Sequence, residues 1–272
     1  MKPADFEYLR AMLHQRSGLV LTPEKTYLVE SRLMPIARKH GLERLDDLVE
    51  RLRALRAESL LREVTEAMTT NESSFFRDSK PFETFRKELL PSLLAMRAQR
   101  KHLRIWCAAA STGQEPYTLA MILKDEQAKL AGWRIEIVAT DISTEVLEKA
   151  KAGIYSQFEV QRGLPVQYLV KHFAQVGEMW QIAAPIRAMV SYREFNLLND
   201  ASLLGRFDAV FCRNVLIYFD PPTKAQVLQR IGKQLASDGF LVLGAAETVL
   251  GVTEAFKPLA GQRGFYGLAH AA

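Results

Sequence analysis

Along residues 1–75 the apolar positions recur three and four apart, the repeat of an amphipathic helix, and no run alternates as a strand does. Thr22 followed by Pro23 predicts a helix start, running to about Lys39 with Gly41 as its stop. The next segment sets Leu42, Leu45, Leu48, Val49, Leu52 and Leu55 at helical spacing. A further helix over about 59–70 turns Leu60, Leu61, Val64 and Met68 inward. Another, over about 79–100, opens at Ser79 and Pro81 and buries Phe82, Phe85, Leu89 and Leu93.

From residue 103 the pattern becomes strand–helix alternation. LRIWCAA, RIEIVATDIS, FDAVFCRN and FLVLGAAE read as strands. Helices fill the intervals, from Pro116 to about Leu130, from Thr144 to Ala152, and from a cap at Asp220 and Pro221 to Gly239. FKPLAGQRGFYGLA closes the chain as a hairpin around Gly261 to Gly264. This order predicts an α/β chain with a doubly wound, mostly parallel sheet and an antiparallel end. Residues 153–195 interrupt the alternation. MWQI, AMVSYREF, a turn at Gly177 and a short helix near 165–173 predict a small antiparallel β subdomain inserted there. The expected organisation is a helical N-terminal domain (1–75), a linker helix (76–102) and the α/β domain (103–272) carrying the insert at 153–195.

Composition narrows the class. Of 272 residues, 48% are hydrophobic and 25% charged, which excludes a disordered chain. No window reaches the ~18 uninterrupted apolar residues of a membrane helix. The opening MKPADFEYLRAMLHQRSG lacks a signal-peptide apolar core, so a cytoplasmic protein without membrane insertion is expected. Cys107 and Cys212 each end an apolar run and read as packing thiols. The net charge of +5 invites a nucleic-acid partner, but residues 1–75 hold twelve basic and twelve acidic residues and form no basic arm. Lys25, Arg32 and Lys39 lie seven apart and would share one helix face. That face is either solvated or a dock for an acidic partner.

In open α/β sheets, ligands bind beyond the carboxyl ends of the strands. The first strand here ends in CAAASTGQEP, whose small residues bare the backbone just before a helix start. With one glycine this is not a dinucleotide fingerprint, and tight strand–helix packing explains it equally well. Asp141 ends the second strand, where a carboxylate either accepts from both hydroxyls of a ribose or caps the next helix. Glu115 would repel pyrophosphate and attract a sulfonium, which favours S-adenosylmethionine over a nicotinamide dinucleotide. Two further segments set polar groups among aromatics: TTNESSFFRD, with Asn71, Ser73 and Arg77, and FCRNVLIYFD, with Arg213, Asn214 and Tyr218. Arg213 at a strand end either pairs with a buried acid or borders the same pocket.

TTNESSFFRD, WCAAASTGQEPYTLAM, ATDIS and FDAVFCRNVLIYFD, in this order and spacing, resemble the CheR-type chemotaxis receptor glutamate O-methyltransferases over essentially the whole chain. The resemblance implies a class I, Rossmann-like methyltransferase domain. It also implies methyl transfer from S-adenosyl-L-methionine to glutamate side chains on the cytoplasmic signalling helices of methyl-accepting chemoreceptors, with S-adenosyl-L-homocysteine as product and no metal. Carried over by matching motifs, the cofactor contacts are Asn71, Ser73, Arg77, Glu115, Asp141, Asn196, Leu197, Arg213 and Asn214. Arg77 and Tyr218 are expected to orient the acceptor carboxylate, and Lys25, Arg32, Arg38 and Lys39 to face the receptor. Two departures stand out: Ser73 where many members carry Thr, and Gln114 where an acid is frequent. KHFAQVGEMWQI holds the single Gly177 and lacks the glycine-rich loop with which some members bind a receptor's C-terminal pentapeptide, so no such tether is expected. A glutamate is ionised at neutral pH (~4.3), and its methylation needs no general base. His14, His40, His102, His172 and His270 accordingly lie outside every motif. Two alternatives are a methyltransferase of the same fold acting on another acceptor, such as RNA, and a non-catalytic S-adenosylmethionine-binding regulator.

Overall fold

The computed structural model describes residues 1–55 and 57–269. The side chain of Leu55 and the residue His270 lie outside the described residues. The chain forms two compact units, Met1–Thr70 with Tyr218–Thr223, and Asn71–Ile217 with Lys224–Ala272.

The first unit is helical: α1 (Pro3–Ser17), a 3₁₀ turn (Pro23–Lys25), α2 (Thr26–Lys39), α3 (Leu45–Leu55) and α4 (Glu58–Met68). Its core takes Leu9 and Leu13 from α1, Val29 and Leu33 from α2, Leu48, Val49 and Leu52 from α3, and Val64 from α4, all with no exposed surface. Helix α1 is not foreseen in the sequence reading. Pro23 opens the short 3₁₀ turn rather than α2 itself, and Thr22 makes no side-chain cap. Gly41, at φ 71°, supplies the left-handed stop after α2. The segment 218–223 joins this unit through Val20 N–H donating to Tyr218 O (2.9 Å) and the His14–Asp220 pair (2.8 Å). Gly18 (φ 76°) has Phe219 and Thr223 within 3.1 Å of the place a Cβ would take.

The basic face differs from expectation at one residue. Arg32 turns inward and caps the end of α4, donating to Met68 O (2.7 Å), Thr69 O (3.0 Å) and Thr70 Oγ1 (3.0 Å). Four carbonyls at a helix end lack intrahelical donors, and a guanidinium satisfies several at once. Arg38 and Lys39 are exposed, the latter paired with Glu63 (2.7 Å), and Lys25 is half-buried.

The second unit begins with helix over 80–96, made of α5 (Lys80–Thr84), a π-helical stretch (Phe85–Leu89) and α6 (Leu90–Met96). Phe82, Phe85, Leu89 and Leu93 are buried as the spacing predicts. There follow β1 (His102–Cys107), α7 (Gln114–Asp125), β2 (Arg134–Asp141) and α8 (Thr144–Ala152). The inserted region holds β3 (Ile154–Ser156), α9 (Gln157–Gln161), α10 (Val166–His172), β4 (Phe173–Val176), β5 (Met179–Ile182) and α11 (Ala184–Arg187). Then come β6 (Val190–Glu194), β7 (Phe207–Cys212), α12 (Pro221–Gln234), β8 (Leu235–Leu243), β9 (Phe256–Pro258) and β10 (Phe265–Leu268). The seven-stranded sheet has the order β6-β2-β1-β7-β8-β10-β9. Its first five strands run parallel, and the β9–β10 hairpin closes the edge antiparallel. The chain reverses its winding between β1 and β7, the crevice where open α/β sheets place ligands.

Three expectations are corrected. AMVSYREF supplies β6, which pairs parallel to β2 in the large sheet (Val190 opposite Ile137); the separate antiparallel sheet is β3-β5-β4. Helix α7 stops at Asp125, short of Leu130, and α12 stops at Gln234, short of Gly239. In the second case Leu235 already pairs with Phe207, and strand pairing outweighs the helix propensity of the intervening residues. The β4–β5 connection is a two-residue turn, Val176 opposite Met179, with Gly177 (φ 60°) at its first central position, as a type II′ hairpin favours.

Cys107 and Cys212 are free and fully buried, and burial pushes both thiols well up, so they pack rather than react. At the amino ends of β1, β7 and β8, Arg97 bonds Asp208 (2.7 Å) and Asp238 beside a cavity of about 270 Å³. The guanidiniums of Arg97 and Arg104 there are engaged by Asp208, Asp238, Glu136 and two main-chain carbonyls, forming a structural ion-pair network.

Candidate active site

The loops at the carboxyl ends of β1, β2, β7 and β8 bring together most of the residues singled out in the sequence. Small residues after β1 keep the backbone close to its neighbours: Ala108 N–H donates to Phe211 O (2.8 Å) and Ala110 N–H to Thr140 O (2.9 Å). Ser111 follows at φ 49°, its N–H donating to Asp141 Oδ2 (2.8 Å) and its hydroxyl to Asn71 O (2.7 Å). One serine thereby joins the end of β2 to the segment preceding the 80–96 helix. Asp141 is 7% exposed and also accepts from Ser143 N–H (3.0 Å).

Gly113 caps α7 at φ 95°, with no room for a side chain: a Cβ would meet Tyr192 Oη at 2.7 Å and Ala150 Cβ at 3.0 Å. Buried Gln114 accepts from Thr112 Oγ1 (2.8 Å). Glu115 comes next, its side chain 12% exposed, facing Arg213 at 2.8 Å. Burial pushes the Glu115 carboxyl up, and the Arg213 charge draws it back only in part.

Arg213 is the hub. Its side chain is 2% exposed, and it donates to Glu115 Oε2, Arg77 O and Asp78 Oδ2, each at 2.8 Å, while lying over the Phe82 ring (5.2 Å to the centroid). The pairing of Arg213 with an acid, one of its two sequence readings, is realised twice. Arg77 itself is half-buried and donates to Glu72 O (2.8 Å). Ser73 is half-buried. Asn196 accepts from Leu198 N–H (3.0 Å) in the loop after β6, and Leu197 is buried. Asn214 adopts a left-handed φ of 59° directly after Arg213. Tyr218 groups with the helical unit instead, through the Val20 bond described above.

Backbone strain concentrates here. Among the described residues, non-glycine positive φ occurs at Phe76, Asp78, Ser79, Lys101, Ser111 and Asn214; Ser111 and Asn214 belong to these loops, and Phe76, Asp78 and Ser79 to the segment before the 80–96 helix. Such conformations cost about 1–3 kcal/mol each and persist where the surroundings over-determine them. Asp78 and Glu247 escape the sequence reading. Asp78 sits in the quoted FFRD, but nothing marked it as a partner of Arg213. Glu247 closes FLVLGAAE, where an acid after a strand was the available signal.

The described histidines stay outside. His14, His40, His102 and His172 each face a carboxylate, Asp220, Glu63, Glu136 and Asp125 respectively. Around the strand ends Asp78, Glu115, Asp141 and Glu247 outnumber Arg77 and Arg213, four carboxylates against two guanidiniums. This surplus of carboxylate acceptors suits a cationic adenosine-bearing cofactor and fits S-adenosylmethionine.

Fold and site together define a Rossmann-like, S-adenosylmethionine-dependent methyltransferase preceded by an all-helical domain. Residues 4–69 match the family model described as CheR methyltransferase, all-alpha domain, and residues 71–265 match CheR methyltransferase, SAM binding domain. The chain is 42% identical to chemotaxis protein methyltransferase 1 of Pseudomonas aeruginosa over 90% of each chain. It is 39% identical to chemotaxis protein methyltransferase Cher2 of Pseudomonas putida over 93% of each. It is 40% identical to chemotaxis protein methyltransferase 1 of Vibrio cholerae, covering 90% of this chain and 89% of that one. The chain belongs to the CheR methyltransferase family, and it is an S-adenosylmethionine-dependent enzyme of chemotaxis. Neither the RNA-directed nor the non-catalytic alternative is favoured. No described helix is long and apolar enough to cross a membrane.

Proposed function

We propose that this enzyme works in the cytoplasm and forms methyl esters on glutamate side chains of the helical signalling domains of methyl-accepting chemoreceptors. The carrying observation is the acid-rich cradle at the strand ends, organised by Arg213 and free of histidine among the described residues. S-adenosylmethionine supplies an electrophilic methyl group on a positively charged sulphur. The acceptor carboxylate is already a nucleophile at neutral pH, so the chain's task is alignment, worth about 7–11 kcal/mol when geometry is good. In this reading Asp141 accepts from the ribose hydroxyls. Asn196 and Leu197 border the adenine. Asn71, Ser73, Arg77 and Asn214 line the cofactor, and Glu115, braced by Arg213, presents negative charge to it. Arg77 orients the incoming carboxylate.

The helical unit is the receptor-docking element. Lys25, Arg38 and Lys39 supply its basic contacts, and Arg32 supports them from inside as the cap of α4. The two-residue β4–β5 turn supports the view that the enzyme works without a pentapeptide tether, because an incoming strand finds no bare glycine loop to pair with. Incubation of the protein with methyl-labelled cofactor and a purified receptor signalling domain tests the reading. Label that base treatment releases as methanol is the expected result; base-stable label, or transfer to RNA instead, contradicts it.

A further inference from the structure

Glu247 lies in the loop after β8, and its carboxylate gathers five main-chain N–H groups. Oε2 accepts from Asn214 (2.7 Å) and Gly244 (2.7 Å). Oε1 accepts from Leu216 (2.7 Å), Val215 (3.0 Å) and, more distantly, Ile217 (3.3 Å). Four of these donors are consecutive residues of the connection that follows Arg213. A turn leaves such donors without main-chain acceptors, and donors shielded from water must find an acceptor elsewhere. The side chain from the neighbouring strand end takes the place of those acceptors. It also holds Asn214 in its left-handed conformation (φ 59°), which a non-glycine residue keeps only where its surroundings enforce it. The fit around the carboxylate is tight. A Cβ on Gly244 would come within 2.7 Å of Glu247 Oε2, 2.9 Å of Asn214 Nδ2 and 3.0 Å of Asn214 N.

We infer that Glu247 is a positioning residue for methyl transfer. It fixes the 214–217 backbone so that Asn214 faces the cofactor and Arg213 stays aimed at Glu115, the Arg77 carbonyl and the Asp78 carboxylate. The inference rests on the functional reading above, since Asn214 owes its cofactor role to that reading. Charge is part of the device: bonds from N–H groups to a carboxylate are about twice as strong as neutral ones.

Glu247→Gln is the informative change, because it keeps the shape while placing an amide NH₂ against groups that are themselves donors. With S-adenosylhomocysteine as probe, calorimetry should show the dissociation constant rising about tenfold or more over the native protein. Hydrogen exchange should quicken at the amides of 214–217 and 244 and stay native elsewhere in the fold. Glu247→Asp, charged but one methylene shorter, should recover part of the affinity. If Glu247→Gln does not fold, Gly244→Ala crowds the same anchor from the other side and should move both readouts the same way. Native affinity and native exchange at 214–217 in a folded variant overturn the inference, as does a lower melting temperature with unchanged affinity, the signature of a purely structural group. A native protein that binds no product would instead overturn the functional reading, and the exchange rates at 214–217 would still decide the role of Glu247 as anchor.

Discussion

Arg213 and Glu115 meet at 2.8 Å with side chains 2% and 12% exposed, one at the end of β7 and the other in the first turn of α7. Neither charge is tolerable alone at this depth. A buried charge that loses its partner typically costs about 3–5 kcal/mol. The same guanidinium reaches Asp78 and the Arg77 carbonyl, so one side chain holds three segments in register around the strand ends.

Arg213→Met should lower unfolding free energy in urea by about 3–5 kcal/mol at neutral pH. The deficit should shrink on acidification, with a sign fixed by Glu115. Burial raises its carboxyl in the folded state, and without Arg213 only the Arg77 charge opposes that rise. A raised acid makes the folded state the better proton binder, so stability falls as pH climbs past the unfolded value and recovers as pH drops back towards about 4.3, the ordinary Glu value. A deficit that is constant with pH would show that Glu115 does not titrate against Arg213.

Gly113→Ala should destabilise by about 1–3 kcal/mol, because it puts a Cβ on a φ of 95° and against the Tyr192 hydroxyl. Adding Tyr192→Phe removes the closest clashing atom and should return part of the loss in thermal melts. No return would place the cost in the backbone and in the remaining contacts with Ala150 and Tyr155.

How much of this was legible beforehand follows from the range of each interaction. The strand–helix alternation, the carboxyl-end crevice and the burial of Phe82, Phe85, Leu89 and Leu93 follow from period and turn chemistry, which are local. The segments that meet at the strand ends were legible because their polar residues sit within short contiguous stretches. What went unread depends on pairing across the fold. Glu247 and Asp78 acquire their roles only from donors supplied by other loops. Val190–Glu194 joined the large sheet because β2 offered a parallel edge that no local pattern announces. Arg32 looked like a surface cation until α4 ended beside it. Helix α1 is a different case. Phe6, Leu9, Met12 and Leu13 carry its spacing, and it was legible but unread.

Asp141→Ala should weaken S-adenosylhomocysteine binding by about 1–3 kcal/mol, the scale for losing hydrogen bonds to a charged group. Part of that loss is indirect, since Asp141 also fixes the Ser111 and Ser143 amides. Calorimetry on Asp141→Asn separates the two contributions: the amide keeps one acceptor for the loop and gives up the charge. Unchanged affinity in both folded variants would remove Asp141 from the ribose.

Charge reversal on the helical unit should split by position. Arg38→Glu with Lys39→Glu should raise the receptor KM several-fold while leaving product affinity and melting temperature near native. Arg32→Glu should instead lower the melting temperature, because it removes three bonds from the end of α4. An unaltered KM in the folded Arg38/Lys39 variant would show that the receptor does not dock on that face.

The central claim is that the acid-rich, Arg213-organised cradle delivers a methyl group to a carboxylate. Tandem mass spectrometry of a receptor signalling domain, taken before and after incubation with the enzyme and S-adenosylmethionine, tests it most directly. The expected result is methylation confined to glutamate side chains, reversed by mild base and absent when those glutamates are replaced by alanine. Methylation on lysine, asparagine or the protein termini, or none at all under conditions where the enzyme binds its cofactor, would contradict it.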